Sequence, residues 1–348
     1  MPEKPRVLSI PERAMQRFNP FSALLADALE AEGCVVEPFS LRRVLATRYD
    51  IIILHWPAIF STQFSLPVAW VRTAVFLTLM TWQRLRGAYI VRIVHDVTDL
   101  KANRARLLAI NGALSSRFMN AYVFLSASSK EAFLASAPRE ARKTGALLFH
   151  PRFEANSPAL SCAVPPGGGG LRFVGDLKPY KGLHVFLERA MRTGCPVKLE
   201  IFGVCDEPAY EAQLDKAVAA ANAAGSAIVW HKSRPDHGEL DALVDGAGAV
   251  LLPYLVGWNS GMAIKVLERG VPIVTSDLGV FAELEADLGA DWVRRLPADD
   301  DTAFAARLSA LPVPDSAART RLAGYLATLS WQRFADGVLA LYRDRRHS

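Results

Sequence analysis

Residues 173–182 read Phe173-Val174-Gly175-Asp176-Leu177-Lys178-Pro179-Tyr180-Lys181-Gly182. A short apolar run ends at a glycine, a turn with two lysines follows, and a helical pattern then continues to Met191. This order is typical of a strand that leads through a turn into a helix. In an open α/β sheet such a turn lies at the carboxyl end of a strand, where ligands bind. Lys178 and Lys181 are therefore candidate cations for a diphosphate, and solvated turn charges are the alternative.

The same alternation of short apolar runs and longer amphipathic stretches extends over the whole chain. It predicts the α/β class, with parallel sheets built from βαβ units. We expect strands at 6–10, 35–38, 50–55, 89–95, 121–125, 147–150, 172–175, 198–203, 227–231, 249–253 and 272–276. In the first half, helices are predicted at about 20–32, 66–86, 102–118 and 128–136.

A change of composition divides the chain into two parts. Residues 155–170 are rich in proline and end in four consecutive glycines, which is typical of a flexible linker. The length of 348 residues leaves room for two cores. We therefore predict two Rossmann-like domains, at 1–154 and 171–316. Residues 317–348 form a long helical pattern that packs either on its own domain or back on the first one.

A second candidate site lies in the loop after the predicted strand 249–253. The loop ends in Asn259-Ser260-Gly261, and a helical pattern begins at Met262. The unpaired amides at the start of a helix favour an anion, whereas a simple N-cap role for Asn259 or Ser260 is the alternative. Glu268, further along the same helix, is a candidate for the ribose hydroxyls of a nucleotide. An ordinary surface glutamate is the alternative for this residue.

Polar residues also follow two predicted strands of the first half. His95, Asp96 and Asp99 come at or after the end of strand 89–95, where a general base would face a ligand crevice. His55 and Trp56 occupy the same position relative to strand 50–55 and are candidates for a sugar subsite. A structural hydrogen-bonding role is the alternative for each histidine.

Charge is distributed unevenly along the chain. Residues 1–160 contain 20 Lys and Arg against 12 Asp and Glu, whereas the remainder has 20 against 23. A basic first half suits an anionic bilayer or a lipid-phosphate acceptor, and the absence of a Lys/Arg run with interleaved aromatics disfavours nucleic acid. Residues 64–86, interrupted by Arg72, fall short of a membrane span. This segment is either a core helix or a peripheral face that dips into a bilayer.

No cofactor and no metal are expected, because the sequence shows neither a DxD signature in a suitable loop nor a cluster of histidines and carboxylates. The first residues lack the pattern of a signal peptide. We therefore expect a cytoplasmic protein, with a peripheral position on the inner face of the cell membrane left open.

Together, and in this chain order, the motifs resemble those of GT-B glycosyltransferases. The resemblance implies two Rossmann-like domains facing a central cleft, with an acceptor-binding N-terminal domain and a C-terminal domain that holds a nucleotide sugar. In the large retaining branch of this fold, a basic residue shortly after the glycine and the lysine of a Lys-Gly pair hold the donor phosphates. Here Asp176 directly follows Gly175. The resemblance therefore assigns the first role to Lys178, whereas Lys181 matches the second directly. That branch also carries Glu-x7-Glu. Here Ser260 replaces its first carboxylate and Glu268 keeps the ribose position.

A smaller group is more similar, namely the bacterial exopolysaccharide β-1,4-mannosyltransferases that use GDP-mannose and a lipid-diphosphate-linked acceptor. The matching stretches are Asn19-Pro20-Phe21, Tyr49-Asp50, His55-Trp56-Pro57, Lys178-Pro179-Tyr180-Lys181-Gly182, Leu252-Pro253-Tyr254 and Asn259-Ser260-Gly261. Where that group has His-Asn after the fourth strand, this chain has His95-Asp96.

This second resemblance implies a metal-independent, inverting hexosyltransferase of polysaccharide biosynthesis, with Asn19 near the acceptor or sugar subsite. Three alternatives stay open. They are a retaining GT-B transferase that uses a UDP-sugar, a sugar-nucleotide 2-epimerase, and a catalytically silent GT-B subunit.

Overall fold

The computed structural model describes residues 4–11, 20–62, 65–96, 104–154 and 169–345. The chain forms two compact units, residues 1–153 with 329–348 and residues 154–328. Each unit is built on a six-stranded sheet with parallel strand pairing and with helices between the strands. The α/β prediction is confirmed. The predicted linker at 155–170 lies outside the described residues, apart from Gly169 and Gly170.

The sheet of the first unit has the strand order β2-β1-β3-β4-β5-β6. Its strands are β1 (Arg6–Ile10), β2 (Val35–Glu37), β3 (Ile51–Leu54), β4 (Tyr89–Val94), β5 (Ala121–Phe124) and β6 (Thr144–Leu147). The central strands β3 and β5 are buried on both faces and are accordingly continuous apolar runs. The chain places β2 on one side of β1 and then β3 to β6 on the other side. The carboxyl ends of β1 and β3 are therefore the topological switch point of the sheet.

Seven helices of the described chain belong to the first unit. They are α1 (Phe21–Ala31), α2 (Leu41–Ala46), α3 (Ile59–Thr62), α4 (Leu66–Leu85), α5 (Ala105–Phe118), α6 (Ala127–Ser136) and α14 (Trp331–Asp344). The last of these, α14, returns to this unit and packs against α1 and the apolar face of the sheet. Within the described ranges, no helix is both long and apolar enough to cross a membrane.

The sheet of the second unit has the order β12-β11-β10-β7-β8-β9, with its switch point between β7 and β10. Its strands are β7 (Leu171–Val174), β8 (Lys198–Phe202), β9 (Ala227–His231), β10 (Ala249–Leu252), β11 (Ile273–Thr275) and β12 (Val293–Arg295). The helices are α7 (Leu183–Arg192), α8 (Pro208–Ala223), α9 (His237–Asp245), α10 (Gly261–Glu268), α11 (Gly279–Leu288), α12 (Asp301–Leu308) and α13 (Ser316–Thr328).

Three features differ from the sequence-based expectation. The last strand of the first sheet lies at 144–147 and not at 147–150, because this edge strand is largely exposed and its bounds are not marked by apolar residues. The short helices α2 and α3 and the strand β12 were not predicted. The helical pattern of 317–348 forms two helices, α13 and α14, which belong to different units. They separate at Ser330, whose hydroxyl caps α14 by accepting the Arg333 N–H at 3.2 Å.

Candidate active site

The two candidate phosphate-binding loops of the second unit lie side by side. They follow β7 and β10, which pair in parallel at the switch point of the sheet. The Leu255 N–H donates to the Tyr180 carbonyl oxygen at 2.8 Å. Gly182 has a φ of +69° and lies so close to the second loop that a Cβ there would be 2.2 Å from the Pro253 carbonyl oxygen. The two motifs, identified separately in the sequence, therefore form one continuous surface and one candidate site.

Lys181 points back beneath its own loop. Its Nζ lies 5.9 Å from the centre of the Phe173 ring, and a Cβ on Gly175 would be only 3.5 Å from it. Burial lowers the pKa of Lys181 to about 8; the neighbouring Lys178 acts in the same direction, and the Asp176 carboxylate opposes both. The amine is therefore mostly charged at neutral pH, and small changes of its surroundings alter its charge.

Lys178 belongs to a more exposed ionic network at the same strand ends. Its Nζ is 3.3 Å from the Asp206 carboxylate. Arg234 binds the same Asp206 carboxylate at 3.0 Å, and it also binds the Asp176 carboxylate at 3.1 Å. Hydrogen bonding to Lys178, and then to Arg234, lowers the pKa of Asp206. Arg234 stands in the loop after β9, 53 positions from Lys181, so this ionic network forms only in the folded unit.

The start of α10 forms the other side of this site. The Ser260 hydroxyl accepts the Ala263 N–H at 3.1 Å, so the N-cap interpretation of Ser260 is correct. The amides of Gly261 and Met262 precede this bond, in the first turn, where helix geometry provides no partner within the helix. Asn259 is half-buried just before the cap.

Tyr254 adds a further hydroxyl to this side of the site. Its side chain is hydrogen-bonded to Ser260, and burial raises the pKa of its phenol. Its ring lies 6.5 Å from that of Tyr180 on the neighbouring loop. In the sequence, Tyr254 stands out only as part of the stretch Leu252-Pro253-Tyr254. The contact that links it to the cap appears only in the folded unit.

Glu268 lies at the far end of α10, about 12 Å along the helix from Ser260 at 1.5 Å per residue. It is completely buried, so the surface-glutamate alternative is wrong. One carboxylate oxygen accepts the Glu154 backbone N–H at 3.3 Å, and the other lies 3.7 Å from the Lys265 ammonium. Lys265 also binds the Glu154 side chain at 2.8 Å. The ribose role of Glu268 stays a prediction.

His55 and His95 lie together in the first unit, at the carboxyl ends of β3 and β4. His55 Nδ1 is 3.1 Å from His95 Nε2, and the Trp56 ring stacks on His95 with 4.4 Å between ring centres. Both histidines are buried. Burial lowers the pKa of His55 to about 3, and burial, followed by nearby His55, lowers that of His95 well below its usual value. Both rings are therefore neutral at physiological pH.

Phe21, the first residue of α1, fills the space between these side chains. The rings that meet it edge to face at 4.8–5.7 Å are those of His55, His95, His150, Trp331 and Phe334. His150 was not among the predicted site residues, because it lies beyond β6 without a recognisable motif. Its Nδ1–H donates to the Pro151 carbonyl oxygen at 2.7 Å, and burial lowers its pKa to about 4.

The structure describes only one of the three remaining candidates of the first unit. Asp96 is exposed directly after His95, and its charge acts on Arg92 in β4. Asn19 and Asp99 lie outside the described residues. Among the residues that are described, no group of three or more His, Cys, Asp or Glu side chains could hold a metal ion. Metal independence stays a prediction.

Comparison with known proteins agrees with this architecture. Residues 169–312 match the family described as "Glycosyl transferases group 1". A GDP-mannose:glycolipid 4-beta-D-mannosyltransferase of Xanthomonas campestris pv. campestris is 27% identical over 305 residues, which cover 86% of this chain and 81% of that protein.

Two solved structures are similar over almost the whole chain. The first, sucrose-phosphate synthase of Thermosynechococcus elongatus, has a TM-score of 0.65 at 15% identity and covers 99% of this chain and 100% of its own. The second, an E. coli structure described as trehalose-6-phosphate bound with UDP-2-fluoro glucose, has a TM-score of 0.68 at 11% identity. The match covers 97% of this chain and 99% of that one. Residues 169–312 therefore form a glycosyl transferases group 1 domain, and the chain is a glycosyltransferase with the GT-B fold.

The close approach of the two loops predicts that a side chain at position 182 strongly destabilises the second unit. Gly182→Ala should destabilise the second unit by more than the ~1–2 kcal/mol expected for a left-handed alanine alone, because its Cβ would also overlap the Pro253 carbonyl oxygen. Gly194→Ala is the matched control, since Gly194 has a φ of +63° with nothing within 4 Å of its Cβ position. The free energy of unfolding in urea should fall more for Gly182→Ala, and equal losses would contradict the constraint.

Proposed function

We propose that this glycosyltransferase moves mannose from GDP-mannose, with inversion, onto a lipid-linked glycan acceptor in polysaccharide biosynthesis. The main support is the contact between the two loops at the switch point of the second sheet. This contact places lysine side chains and the free amides of a helix N-terminus together, and both kinds of group bind a diphosphate. The donor sugar and acceptor class are supported by the Xanthomonas relative, described as a GDP-mannose:glycolipid mannosyltransferase, which is similar over most of both chains.

The donor diphosphate would bind between the lysine loop and the start of α10. Lys178 and Lys181 supply positive charge, and the amides of Gly261 and Met262 supply directed donors beside the positive end of a helix dipole. These groups are fixed before the reaction and face the oxygens on which charge develops as the nucleotide leaves. Such preorganised donors stabilise a leaving diphosphate without a metal ion. Glu268 would receive the ribose hydroxyls.

The acceptor would be activated by residues of the first unit. Transfer passes through a transition state with oxocarbenium character, and the attacking hydroxyl loses its proton to a base. Asp96 is the exposed carboxylate at the end of β4, and Asp99 is the second candidate. His95 lies beside Asp96, while Asn19, His55 and Trp56 would form the acceptor or sugar subsite.

Inversion is supported by Ser260, the residue that caps the N-terminus of α10. Position 260 carries a serine, where the large retaining branch has the first carboxylate of its Glu-x7-Glu motif. The Ser260 hydroxyl already accepts the Ala263 N–H and contacts Tyr254. It therefore acts as a helix cap and as a neutral hydrogen-bonding group.

A peripheral contact with an anionic membrane is the final part of the proposal. Exposed apolar side chains along α4 support it, among them Trp70, Val71, Trp82 and Leu85, of which Leu85 is 79% exposed. Trp70, Val71 and Trp82 therefore lie on the surface, whereas Phe76, Leu79 and Met80 on the other face of the same helix pack in the core. The end of α4 borders a cavity of about 620 Å³. Its charged lining residues are Arg84, Arg142, Lys143, Arg345 and Asp344.

Transfer by the purified chain tests the function directly. We expect mannose transfer from GDP-mannose to a lipid-diphosphate-linked oligosaccharide, full activity in excess chelator, and a β linkage in the product by NMR. UDP-glucose and UDP-glucuronate serve as competing donors. An α linkage from a UDP-sugar would favour the retaining alternative, release of a 2-epimer without acceptor would favour the epimerase, and no turnover with any donor would favour a silent subunit.

The pKa of Lys181, about 8, predicts the pH dependence of donor binding. The ammonium form binds the diphosphate, so affinity for GDP-mannose should be present below pH 8 and fall about tenfold or more as the amine loses its proton, the scale of a charge-assisted hydrogen bond. Lys181→Arg should remove this pH dependence because arginine stays charged. Lys178→Arg, the control, should retain it. Calorimetric titration from pH 6.5 to 9.5 measures this, and a flat wild-type profile would refute the role of Lys181.

Flotation with vesicles tests the membrane contact. The wild-type chain should float with vesicles that contain anionic lipid, and the double change Arg72→Glu and Arg84→Glu on α4 should abolish flotation. Lys198→Glu with Lys216→Glu is the control, because it changes the net charge equally through two exposed lysines of the second unit. Arg86 is left unchanged, since it donates to the Leu45 and Thr47 carbonyl oxygens. Equal loss in both double variants would mean non-specific charge attraction.

A further inference from the structure

The cavity of about 620 Å³ at the end of α4 lies at the amino-terminal edge of the first sheet. It forms where β4 begins at Tyr89, where Asn120 precedes β5 and where β6 begins at Thr144. The end of α14 completes the wall, and all of these elements belong to the first unit. His95 follows the opposite end of β4, whose 6 residues span roughly 20 Å. The cavity is therefore separate from the candidate catalytic residues.

Positive charge prevails around this cavity. Among the described residues, its wall contains four cations and one carboxylate, namely Arg84, Arg142, Lys143, Arg345 and Asp344. A second carboxylate, that of Glu140, pairs with the Lys143 ammonium at 2.8 Å. Four cations against these two carboxylates leave a net charge of +2. A phosphate monoester, which carries a charge of about −1.5 to −2 at neutral pH, would balance it.

The three arginines of the wall are not neutralised by carboxylates. Arg84 and Arg142 form neither an ion pair nor a hydrogen bond with any residue that the structure describes. The Arg345 guanidinium stacks on the Tyr342 ring at 3.5 Å from its centre, and its Nη2 donates to the Tyr342 hydroxyl at 2.6 Å. Its Nη1 is buried and has no partner within the described ranges. Guanidinium groups with unused N–H donors are the preferred partners of phosphate oxygens.

The charges of the two helix ends meet at one hydroxyl of the cavity wall. Burial raises the pKa of the Tyr89 phenol. Hydrogen bonding to Thr144 lowers this pKa, as do the charges of Arg345 and Arg84, whereas Asp344 opposes them. Both arginines therefore act on the same point, although they come from α4 and α14.

Asn120 adds a neutral donor of fixed orientation. Its side-chain oxygen accepts the Ile90 N–H at 2.9 Å, and this bond distinguishes the oxygen of the amide from the nitrogen. The NH₂ group of the same amide has no partner among the residues that the structure describes. The wall thus offers a directed N–H donor as well as charge.

We propose that this cavity binds a phosphate monoester, with Arg84, Arg142 and Arg345 around the phosphate group. The Asn120 amide supplies a further donor. The volume lies within the range of small-molecule sites, about 300 to 1,000 Å³, so the cavity also receives the small polar body that carries the phosphate. This site stands apart from the proposed transfer reaction and does not depend on it. Its chemistry fits a soluble phosphorylated compound and a lipid whose head is a phosphate monoester.

Methyl NMR of the full chain, labelled at the methionine methyl groups, tests the site with glycerol 3-phosphate as the probe. Met119 lines the cavity, whereas Met262 lies in the first turn of α10 at the candidate donor site. Met119→Leu and Met262→Leu assign the two signals with little change of volume. The probe should shift the Met119 signal in a saturable way. An unchanged Met119 signal, with or without a shift of Met262, overturns the proposal.

Arg142→Gln tests the arginine contact, and Arg139→Gln is its matched control. Both arginines are exposed and belong to the 3₁₀ segment Pro138–Arg142, but only Arg142 lines the cavity. Loss of a charge-assisted hydrogen bond should weaken binding of glycerol 3-phosphate roughly tenfold or more in Arg142→Gln. Arg139→Gln should bind as the wild-type chain does. Equal affinity in the two variants would overturn the proposal.

Flotation then identifies the source of the phosphate. Trp82 and Leu85 are exposed on either side of Arg84, so a bilayer on this part of α4 would bring lipid phosphates to the cavity. For a lipid ligand, Arg142→Gln should float less than Arg139→Gln with vesicles that contain phosphatidic acid, and glycerol 3-phosphate should release the wild-type chain. Equal flotation, with the tenfold difference for glycerol 3-phosphate retained, assigns the cavity to a soluble phosphate monoester.

The same spectra keep this inference distinct from the proposed function. GDP-mannose should shift the Met262 signal and leave Met119 unchanged. If GDP-mannose shifts neither signal while glycerol 3-phosphate shifts Met119, the proposed donor site is refuted and the phosphate site of the first unit is supported.

Discussion

The close approach of Gly182 to the Pro253 carbonyl oxygen is the constraint on which the proposed donor-binding surface of the second unit depends. At this point the chain leaves the lysine turn and enters α7, and only a residue without a side chain fits against the neighbouring loop. The backbone bond from Leu255 to Tyr180 closes the same contact. Because β7 and β10 are neighbours at the switch point of the sheet, two loops about 75 residues apart in sequence become one surface.

The cations of this surface differ in their burial and in their pairing with carboxylates. Lys181 is buried enough to lower its pKa, whereas Lys178 and Arg234 remain near solvent and are paired with Asp206. A buried ammonium without a full counter-charge favours an incoming anion, since the anion replaces the water that the amine has lost. The paired cations contribute less to stability, because exposed ion pairs are weak. They keep positive groups at the rim of the site.

The first unit is organised around an aromatic contact. Phe21 packs edge-on against three imidazoles and against two rings of α14, so the helix that returns from the end of the chain completes the core beneath the histidines. Burial keeps His55 and His95 neutral. Edge-to-face contact and the loss of water thus act on the same residues and fix both their position and their protonation.

The sequence by itself determined the α/β class, most strand positions and the donor loops, because each rests on local order: an apolar run, a glycine, then a helical pattern. Lys178, Lys181 and Ser260 could be selected for this reason. His150 could not, since its contacts with Phe21 and Trp331 arise from elements that the fold brings close. The tertiary structure alone decided that Glu268 is buried, that the terminal pattern splits at Ser330, and that His55 and His95 are buried side by side. These properties depend on burial and on partners distant in the chain, which local patterning does not encode.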